Sequence, residues 1–223
     1  NFRAGVNAGN SIASGGNYNV VVGDEAGTAI TTSDYNVAVG YNAGTSVTTG
    51  KENTLIGSLA GDALTDADFN IAIGWGALGA DTLGSKSVAI GTGALDAQNF
   101  TSATDSFNVA VGHNAGSDVT TGVNNTLIGS LAGDALTEGG NNTALGINAL
   151  GADTLGSRNT AIGYQTLLVQ NFTSATNSYN VAIGHDAGRA VTTGTNNTLI
   201  GGLAGDAITT GGSNVALGTS ALS

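Results

Sequence analysis

Histidine and aspartate are the side chains of this sequence that could do chemistry, and both recur at a fixed spacing. His113 and His185 are separated along the chain by the same interval as Asp81 and Asp153. Imidazole nitrogens and carboxylates are common metal ligands and general acids or bases. A hydrolase that uses two carboxylates, however, needs both in one cleft within about 10 Å. Residues that recur singly at so long an interval indicate solvated turns of a repeat, and we predict neither a metal site nor catalytic residues.

One glycine motif could suggest a cofactor. Gly74-Trp-Gly76-Ala-Leu-Gly79 matches the dinucleotide fingerprint G-x-G-x-x-G. That fingerprint requires a strand, a tight turn and a helix, with an acidic residue about 20 positions further on. No helical pattern follows here, and the glycines belong to a repeat. We therefore expect no cofactor and no enzymatic activity.

Composition excludes further classes of function. The chain has 223 residues, a formal net charge of −11, and only five lysines and arginines in total. Nucleic-acid binding requires basic side chains that neutralise phosphates, so we expect no such partner. No apolar run reaches the roughly 18 residues of a membrane span, so we expect no membrane insertion in this segment. The 37 glycines come without proline or cysteine but with many aliphatic residues, which favours an ordered fold over a linker.

The glycines mark an internal repeat. The pattern Asn-x-x-x-Gly-x-x-Ala occurs thirteen times with few departures, and we call its glycine the anchor glycine. The step from one anchor to the next is 17, apart from one step of 18 and two of 21, and a longer period of 72 is superimposed. The anchors are Gly5, Gly23, Gly40, Gly57, Gly74, Gly91, Gly112, Gly129, Gly146, Gly163, Gly184, Gly201 and Gly218. Repetition at a fixed period of this kind predicts a solenoid.

The residues before each anchor predict a strand. In Asn36-Val-Ala-Val-Gly40, Val37 and Val39 share one face and Ala38 points to the other, because side chains alternate along a strand. A strand that is apolar on both faces is normally buried on both. One face can fill the interior of the coil, and the other then needs a second surface, most simply another copy of the chain. We assign Ile128, which occupies the position of Val39, to a buried site.

The rest of each coil predicts a narrow core and a second strand. Eight coils carry an aliphatic residue seven positions after the anchor, and those eight have glycine at the fourth position, as in Gly44 and Val47. Four others carry leucine at the fourth position instead: Leu78, Leu95, Leu150 and Leu167. This exchange is expected if both positions point into one core of fixed volume. The anchor glycine suits a corner with positive φ or a close backbone approach, and the asparagines are expected to stack as an amide ladder.

Three segments carry the repeat most clearly: Asn36-Val-Ala-Val-Gly-Tyr-Asn-Ala43, Ser87-Val-Ala-Ile-Gly-Thr-Gly-Ala94 and Asn159-Thr-Ala-Ile-Gly163. They resemble the YadA-head-like repeats of trimeric autotransporter adhesins, which are also found in phage tail fibres. The likeness covers essentially the whole chain. It implies a left-handed parallel β-roll, a homotrimer, and display at a surface for attachment. The coils of this chain, with steps of 17 and 21, are longer than the compact coils of that family.

Two sets of residues are candidate surface contacts. The position after the anchor varies most, as expected of a solvent-facing column, and exposed aromatic residues there could contact a glycan or a protein. The 21-residue coils insert loops that carry Phe100 and Phe172, and insertions in solenoids often line the binding face, although these rings could instead wedge between subunits or cap the local core. The candidates are Tyr41, Trp75, His113, Tyr164, His185, Phe100 and Phe172.

The sequence thus predicts an all-β parallel β-roll or β-helix solenoid of about 13 coils. Residues 1–223 are expected to form one segment of a longer fibre, with super-repeats at approximately 36–107, 108–179 and 180–223. We expect a non-enzymatic adhesin head or shaft, extracellular and at a cell or virion surface. A phage tail-fibre shaft is an alternative. A lower alternative is an ice-binding solenoid, suggested by the threonine pairs that start at Thr48, Thr120 and Thr192.

Overall fold

A computed structural model describes all 223 residues, which form an all-β structure without helices. The contacts between residues group into two units, Asn1–Asn108 and Val109–Ser223. The prediction of a single segment over 1–223 stays a prediction.

Short strands supply the regular structure of both units. The first unit contains β1 (Phe2–Ala4), β2 (Val20–Val22), β3 (Val37–Val39), β4 (Thr54–Ile56), β5 (Ile71–Ile73), β6 (Gly84–Ser85), β7 (Val88–Ile90) and β8 (Thr104–Asp105). The second unit contains β9 (Val109–Val111), β10 (Thr126–Ile128), β11 (Thr143–Leu145), β12 (Gly156–Ser157), β13 (Thr160–Ile162), β14 (Thr176–Asn177), β15 (Val181–Ile183), β16 (Thr198–Ile200) and β17 (Val215–Leu217).

The strands that precede the anchor glycines stack in parallel and in register. In the first unit Val37 of β3 pairs with Thr54 of β4, one repeat later. In the second unit Thr126 of β10 pairs with Thr143 of β11 in the same way. Each coil therefore lies on the preceding coil with equivalent positions aligned. The prediction of a parallel β-solenoid with about 13 turns and a step of about 17 is confirmed.

The middle residue of each strand fills the interior, while its two neighbours face outward. Ala38 is 1% exposed and Leu55 is 0% exposed, whereas Ile56 is 38% exposed. The assignment of Ile128 to a buried site is therefore wrong, because Leu127 takes the inward position and Ile128 is only partly covered. The alternation of the strand was correctly predicted, but the sequence did not indicate which of two apolar faces points inward.

The narrow core behaves as predicted. Leu78 and Leu95, four positions after their anchors, are fully buried, and so are Ile30 and Leu64, seven positions after theirs. A Cβ on Gly61 would lie 2.8 Å from Leu64 Cδ1, so the fourth position must be glycine where the seventh is large. The two positions share one volume, which explains why only one of them is aliphatic in any coil.

A second strand in each coil was predicted, and this is wrong for most coils. Only β6 with β8 and β12 with β14 form such pairs, next to the 21-residue coils. Elsewhere turns connect the coils, and the first threonine of each pair links them. Thr48 donates its backbone N–H to the carbonyl oxygen of Thr65 at 2.9 Å and its hydroxyl to the same oxygen at 3.2 Å.

The asparagine before each strand forms the expected ladder. Asn53 is fully buried, and its backbone N–H and its Nδ2 donate to Asn36 Oδ1 at 3.0 and 3.1 Å. The same Nδ2 also donates to the carbonyl oxygen of Ala67 at 2.7 Å, across its own coil. Each side chain thus joins two coils and closes one, so the buried amide groups are satisfied.

The anchor glycine is required by the backbone. All thirteen anchors have φ between +118° and +142°. A Cβ on Gly184 would lie 2.5 Å from the carbonyl oxygen of Gly201, the next anchor. Positive φ and close backbone approach both apply, as the sequence predicted.

Candidate interaction surfaces

The predicted column after the anchor glycine lies on the surface. Tyr41 and Trp75 are both 57% exposed and Tyr164 is 44% exposed. His113 and His185 are exposed as well. Tyr164 and His185 occupy consecutive turns and stack with ring centroids 5.2 Å apart. The structure brings these two residues together and leaves the other three without a ring partner in the column.

The histidines are not part of a metal-ligand cluster. The structure contains no group of three histidine, cysteine or acidic side chains that could hold a metal ion. His185 Nδ1 lies 3.4 Å from Asp186 Oδ2, a contact that is ionic only when the imidazole is protonated. The two histidines remain exposed members of the column.

Phe100 and Phe172 are buried, which corrects their place among the surface-contact candidates. Each residue is only 6% exposed. A Cβ on Gly84 would lie 2.7 Å from Phe100 Cδ2, so the ring packs directly over a glycine of the preceding coil. The rings cap the local core, one of the roles that the sequence left open.

A buried polar network fixes each of these loops. Asp153 Oδ2 accepts a hydrogen bond from Gln170 Nε2 at 2.6 Å, and Asp153 Oδ1 accepts the backbone N–H groups of Gly156 at 3.0 Å and Phe172 at 3.4 Å. Gln170 Oε1 in turn accepts from Asn180 Nδ2 at 2.7 Å. The first unit repeats this arrangement, with Asp81 in the position of Asp153 and Gln98 in that of Gln170.

The expectation that Asp81 and Asp153 lie in solvated turns is therefore wrong, because both are fully buried. Burial raises the pKa of Asp153 above its ordinary value of 3.8, and the hydrogen bonds from Gln170 and Gly156 oppose that rise. The sequence did contain a signal. Both aspartates stand seven positions after an anchor, where other coils have a core aliphatic residue.

Two further carboxyl groups have raised pKa values. Burial raises the pKa of Asp62, with a smaller contribution from the charge of Asp96. Burial likewise raises the pKa of Asp134, helped by the charge of Asp118, and Asp134 Oδ1 is buried without a hydrogen-bond partner. A shallow hollow of about 250 Å³ lies elsewhere and is lined by Val169, Arg189, Ala190, Leu203 and Asp206.

A second column of exposed aromatic residues was not predicted from the sequence. It stands five positions before the anchor, where the backbone turns with φ between +49° and +65°. Its aromatic members are 48–69% exposed: Tyr18, Tyr35, Phe69, Phe107 and Tyr179. Tyr18 and Tyr35 stack with centroids 5.0 Å apart and planes 7° apart. Alignment of the repeat at this position, which directly precedes the recurrent asparagine, would have found the column.

The outward side chains of the strands form a third surface, which we call the strand face. It contains only β-branched and aliphatic residues and carries no charge in β2–β5, β7, β9–β11, β13, β15 and β16. Ile71 is 38% exposed and Leu145 is 42% exposed. Its members in the second unit include Val109, Val111, Thr126, Ile128, Thr143, Leu145, Thr160 and Ile162.

No protein-family model, curated protein or solved structure matches this chain. No helix in the structure is long and apolar enough to span a membrane. The likeness to the heads of trimeric autotransporter adhesins accordingly rests on the repeat itself.

Proposed function

We propose that this chain is a non-enzymatic fibre segment that assembles with copies of itself and mediates attachment at a cell or virion surface. The strand face is the observation that carries the proposal. It is an uncharged surface of regularly spaced aliphatic side chains on short parallel strands, with side chains such as Ile56 and Ile71 each 38% exposed. Soluble monomers rarely expose contiguous apolar surfaces of this kind, which mark interaction sites.

A second copy of the chain is the partner that fits the strand face best. Parallel strands repeat about every 4.8 Å, so the ridges of one copy match the grooves of another that has the same spacing. The face has no charge, so two chains of net charge −11 can approach there without pairing like charges. The resemblance of the repeat favours three copies and a left-handed coil.

Attachment is the role that we assign to the sides of the assembly. The exposed column of Tyr41, Trp75, His113, Tyr164 and His185 offers aromatic and imidazole rings to a host glycan or protein. An adhesin head or shaft and a phage tail-fibre shaft would use the same repeat. The parent sequence discriminates between them, since a membrane-barrel anchor marks the adhesin and a virion-attachment domain marks the fibre.

Paired aspartate substitutions test the assembly. Ile128→Asp places a charge on the strand face, so we expect a folded monomer where the wild type is oligomeric. Leu127→Asp buries an unpaired charge in the core, where Leu127 is 0% exposed, and we expect it to unfold the chain. Sedimentation velocity and circular dichroism measure both effects. A wild type that is monomeric at all concentrations would refute self-assembly.

Ice binding is a second candidate that one observation favours. Thr126, Thr143 and Thr160 follow one another on three successive turns of the strand face. This array is more regular than the threonine pairs, whose first hydroxyl bonds to the next coil, as in Thr48. Thermal hysteresis of the purified chain, lost in Thr143→Tyr, would support it, and its absence would remove the idea.

A further inference from the structure

The aromatic residues five positions before the anchor are not explained by the fold. In the first unit, six successive turns place Tyr18, Tyr35, Glu52, Phe69, Lys86 and Phe107 at this corner, and we call them the corner column. All six have φ between +49° and +63°, which is uncommon for bulky residues and costs conformational free energy. Asparagine tolerates this conformation best, and three equivalent corners carry it: Asn124, Asn141 and Asn196.

Packing does not explain the rings either. Tyr18 is 69% exposed, Tyr35 54%, Phe69 48% and Phe107 52%. Aromatic side chains that occupy an unfavourable backbone conformation and leave about half or more of their surface exposed are poorly suited to stabilising the fold. Their presence on neighbouring turns points to a ligand.

The corner column is linear and already ordered. Tyr18 and Tyr35 form an offset stack, with centroids 5.0 Å apart, which leaves part of each ring face open. Phe69 lies two turns after Tyr35, and Phe107 lies two turns after Phe69. Each interval is about 10 Å by the spacing of parallel strands. Lys86 Nζ lies 5.3 Å from the centroid of Phe107, which holds that ring in place.

Charge disfavours an anionic ligand. Lys86 Nζ is paired with Asp105 Oδ2 at 2.6 Å, so the only cation of the corner column is already neutralised. The remaining charged member is Glu52, and the chain as a whole carries a net charge of −11. Nucleic acids stack on aromatic residues but also need a basic groove, which this acidic surface lacks.

Backbone hydrogen bonding restricts the ligand further. Tyr35 donates its N–H to the carbonyl oxygen of Asn17 at 3.1 Å, and Phe69 donates its N–H to that of Lys51 at 3.0 Å. These groups are therefore not free to pair with an added peptide strand. The side chains offer the remaining groups for recognition at this corner: the ring faces, the tyrosine hydroxyls and the Glu52 carboxylate.

We propose that the corner column binds a neutral, extended oligosaccharide along the solenoid, with pyranose rings against Tyr35 and Phe69 and sugar hydroxyls on Glu52. The apolar C–H face of a pyranose packs on the electron-rich face of an aromatic ring. Rings two turns apart suit a sugar chain in which every second residue presents the same face. The inference deepens the proposed attachment function and rests on it for its setting, although the binding itself requires no assembly.

The test uses the full chain and isothermal titration calorimetry. The probes are cellohexaose, chitohexaose and xylohexaose, with a heparin hexasaccharide as the anionic control. The variant is Tyr35→Asn with Phe69→Asn, since asparagine is the residue that other turns use at this corner. We expect saturable binding of at least one neutral probe by the wild type. We expect the double variant to bind it at least about tenfold more weakly, with an unchanged or slightly raised melting temperature.

Two control variants locate the site. Tyr179→Asn removes a ring whose column neighbours are Arg158 and Asn196, and we expect no effect on binding. Trp75→Ser removes a ring from the column after the anchor, and binding should again be retained. The inference is overturned if no neutral probe binds, if only heparin binds, if binding survives the double variant, or if Trp75→Ser alone abolishes it. It is also overturned if the double variant unfolds or changes only the oligomeric state.

Sedimentation of the same samples separates this inference from the proposed function. A monomeric wild type that binds a neutral probe would refute self-assembly and leave the corner column intact. An oligomeric wild type that binds no neutral probe would refute the corner column and leave the assembly intact.

Discussion

At the scale of single residues, backbone conformation explains more of this molecule than side-chain chemistry does. The anchor glycines combine φ of +118° or more with a neighbouring carbonyl where a Cβ would stand, and no other residue type meets both conditions. The asparagine four positions earlier is equally constrained, because it joins two coils through its Oδ1 and closes its own coil through its Nδ2. These two residue types define the repeat because each performs a task that one backbone geometry imposes.

Two alanine substitutions test the role of the anchor glycine. Gly184→Ala should destabilise the protein by about 3 kcal/mol or more, since positive φ strains alanine and the Cβ would lie 2.5 Å from a carbonyl oxygen. Gly202→Ala is the control, because its Cβ would meet nothing closer than the His185 carbonyl oxygen at 3.9 Å, and we expect a change within about 0.5 kcal/mol. Urea denaturation followed by circular dichroism measures both. Equal losses in the two variants would contradict the assignment.

The sequence predicted the anchor glycine and the asparagine ladder but not the corners that precede the ladder. Glycine at a fixed position of the repeat indicates a positive φ. Asparagine at a fixed position indicates that its amide stacks on the equivalent amide of the next coil. Tyr35 and Phe69 adopt φ of +61° and +60° without any such signal, because aromatic residues are not expected in that conformation. Backbone hydrogen bonds between neighbouring coils hold these corners in a conformation that the individual residues disfavour.

At the scale of elements, the 21-residue coils are the places where the repeat changes its core. The seventh position after the anchor is Asp153 in one coil and Gln170 in the next, where other coils carry an aliphatic residue. The two side chains bond to each other at 2.6 Å, and Asp153 also accepts the backbone N–H of Phe172. The loop is thereby held by a polar core beneath it as well as by the phenylalanine ring.

Removal of the glutamine tests this view of the loop. Gln170→Ala should cost about 1–3 kcal/mol, because Asp153 and Asn180 lose a buried partner. We expect faster hydrogen exchange in the loop that follows Gln170 in that variant. Asn171→Ala is the control, since Asn171 is exposed and its side chain only accepts the hydroxyl of Thr154 at 2.9 Å. Unchanged exchange in Gln170→Ala would mean that Phe172 orders the loop alone.

Strand position, register and the exchange of core residues could be predicted from the sequence, because all three follow from the period of the repeat and the fixed volume of the core. The choice of inward face could not, since Leu127 and Ile128 are equally apolar and only closure of the coil decides between them. The polar networks were missed for a related reason. An aspartate in a glycine-rich turn is interpreted as solvated unless its partner on the next coil is already known.

At the scale of the whole molecule, acidity controls stability. The net charge is −11 with an isoelectric point near 4.1, so repulsion between like charges grows as the pH rises. Asp62, Asp134 and Asp153 act in the same direction, because burial raises the pKa of each above 3.8. The folded state therefore binds protons more tightly than the unfolded state at these groups. Their effect is a loss of stability as the pH rises above 3.8 through the folded-state pKa values.

We therefore expect a higher melting temperature at a pH just above 3.8 than at about pH 8, the reverse of ordinary acid denaturation. Asp134→Asn should reduce the difference by raising the melting temperature at about pH 8, because it removes a charge whose Oδ1 has no partner. Asp118→Asn is the companion variant and should give a smaller shift in the same direction, through its contribution to the pKa of Asp134. Differential scanning fluorimetry at low protein concentration measures this dependence. A melting temperature that rises with pH would contradict it.

The registered pairing of equivalent positions makes the length of this protein modular. Excision of residues 130–146 would join Gly129 to Ile147, so that an anchor is again followed by its usual successor position. After the excision, the following turn would move by one step of about 4.8 Å into the place of the deleted turn. Its strand, its ladder amide and its core residues would then contact the equivalent residues of the preceding turn. A 21-residue coil does not permit this exchange, because its glutamine bonds to the aspartate of the preceding 17-residue turn and the two turns must be removed together. The chain can thus lengthen or shorten by duplication or deletion of single turns, except where the polar pairs bind two turns into one indivisible unit.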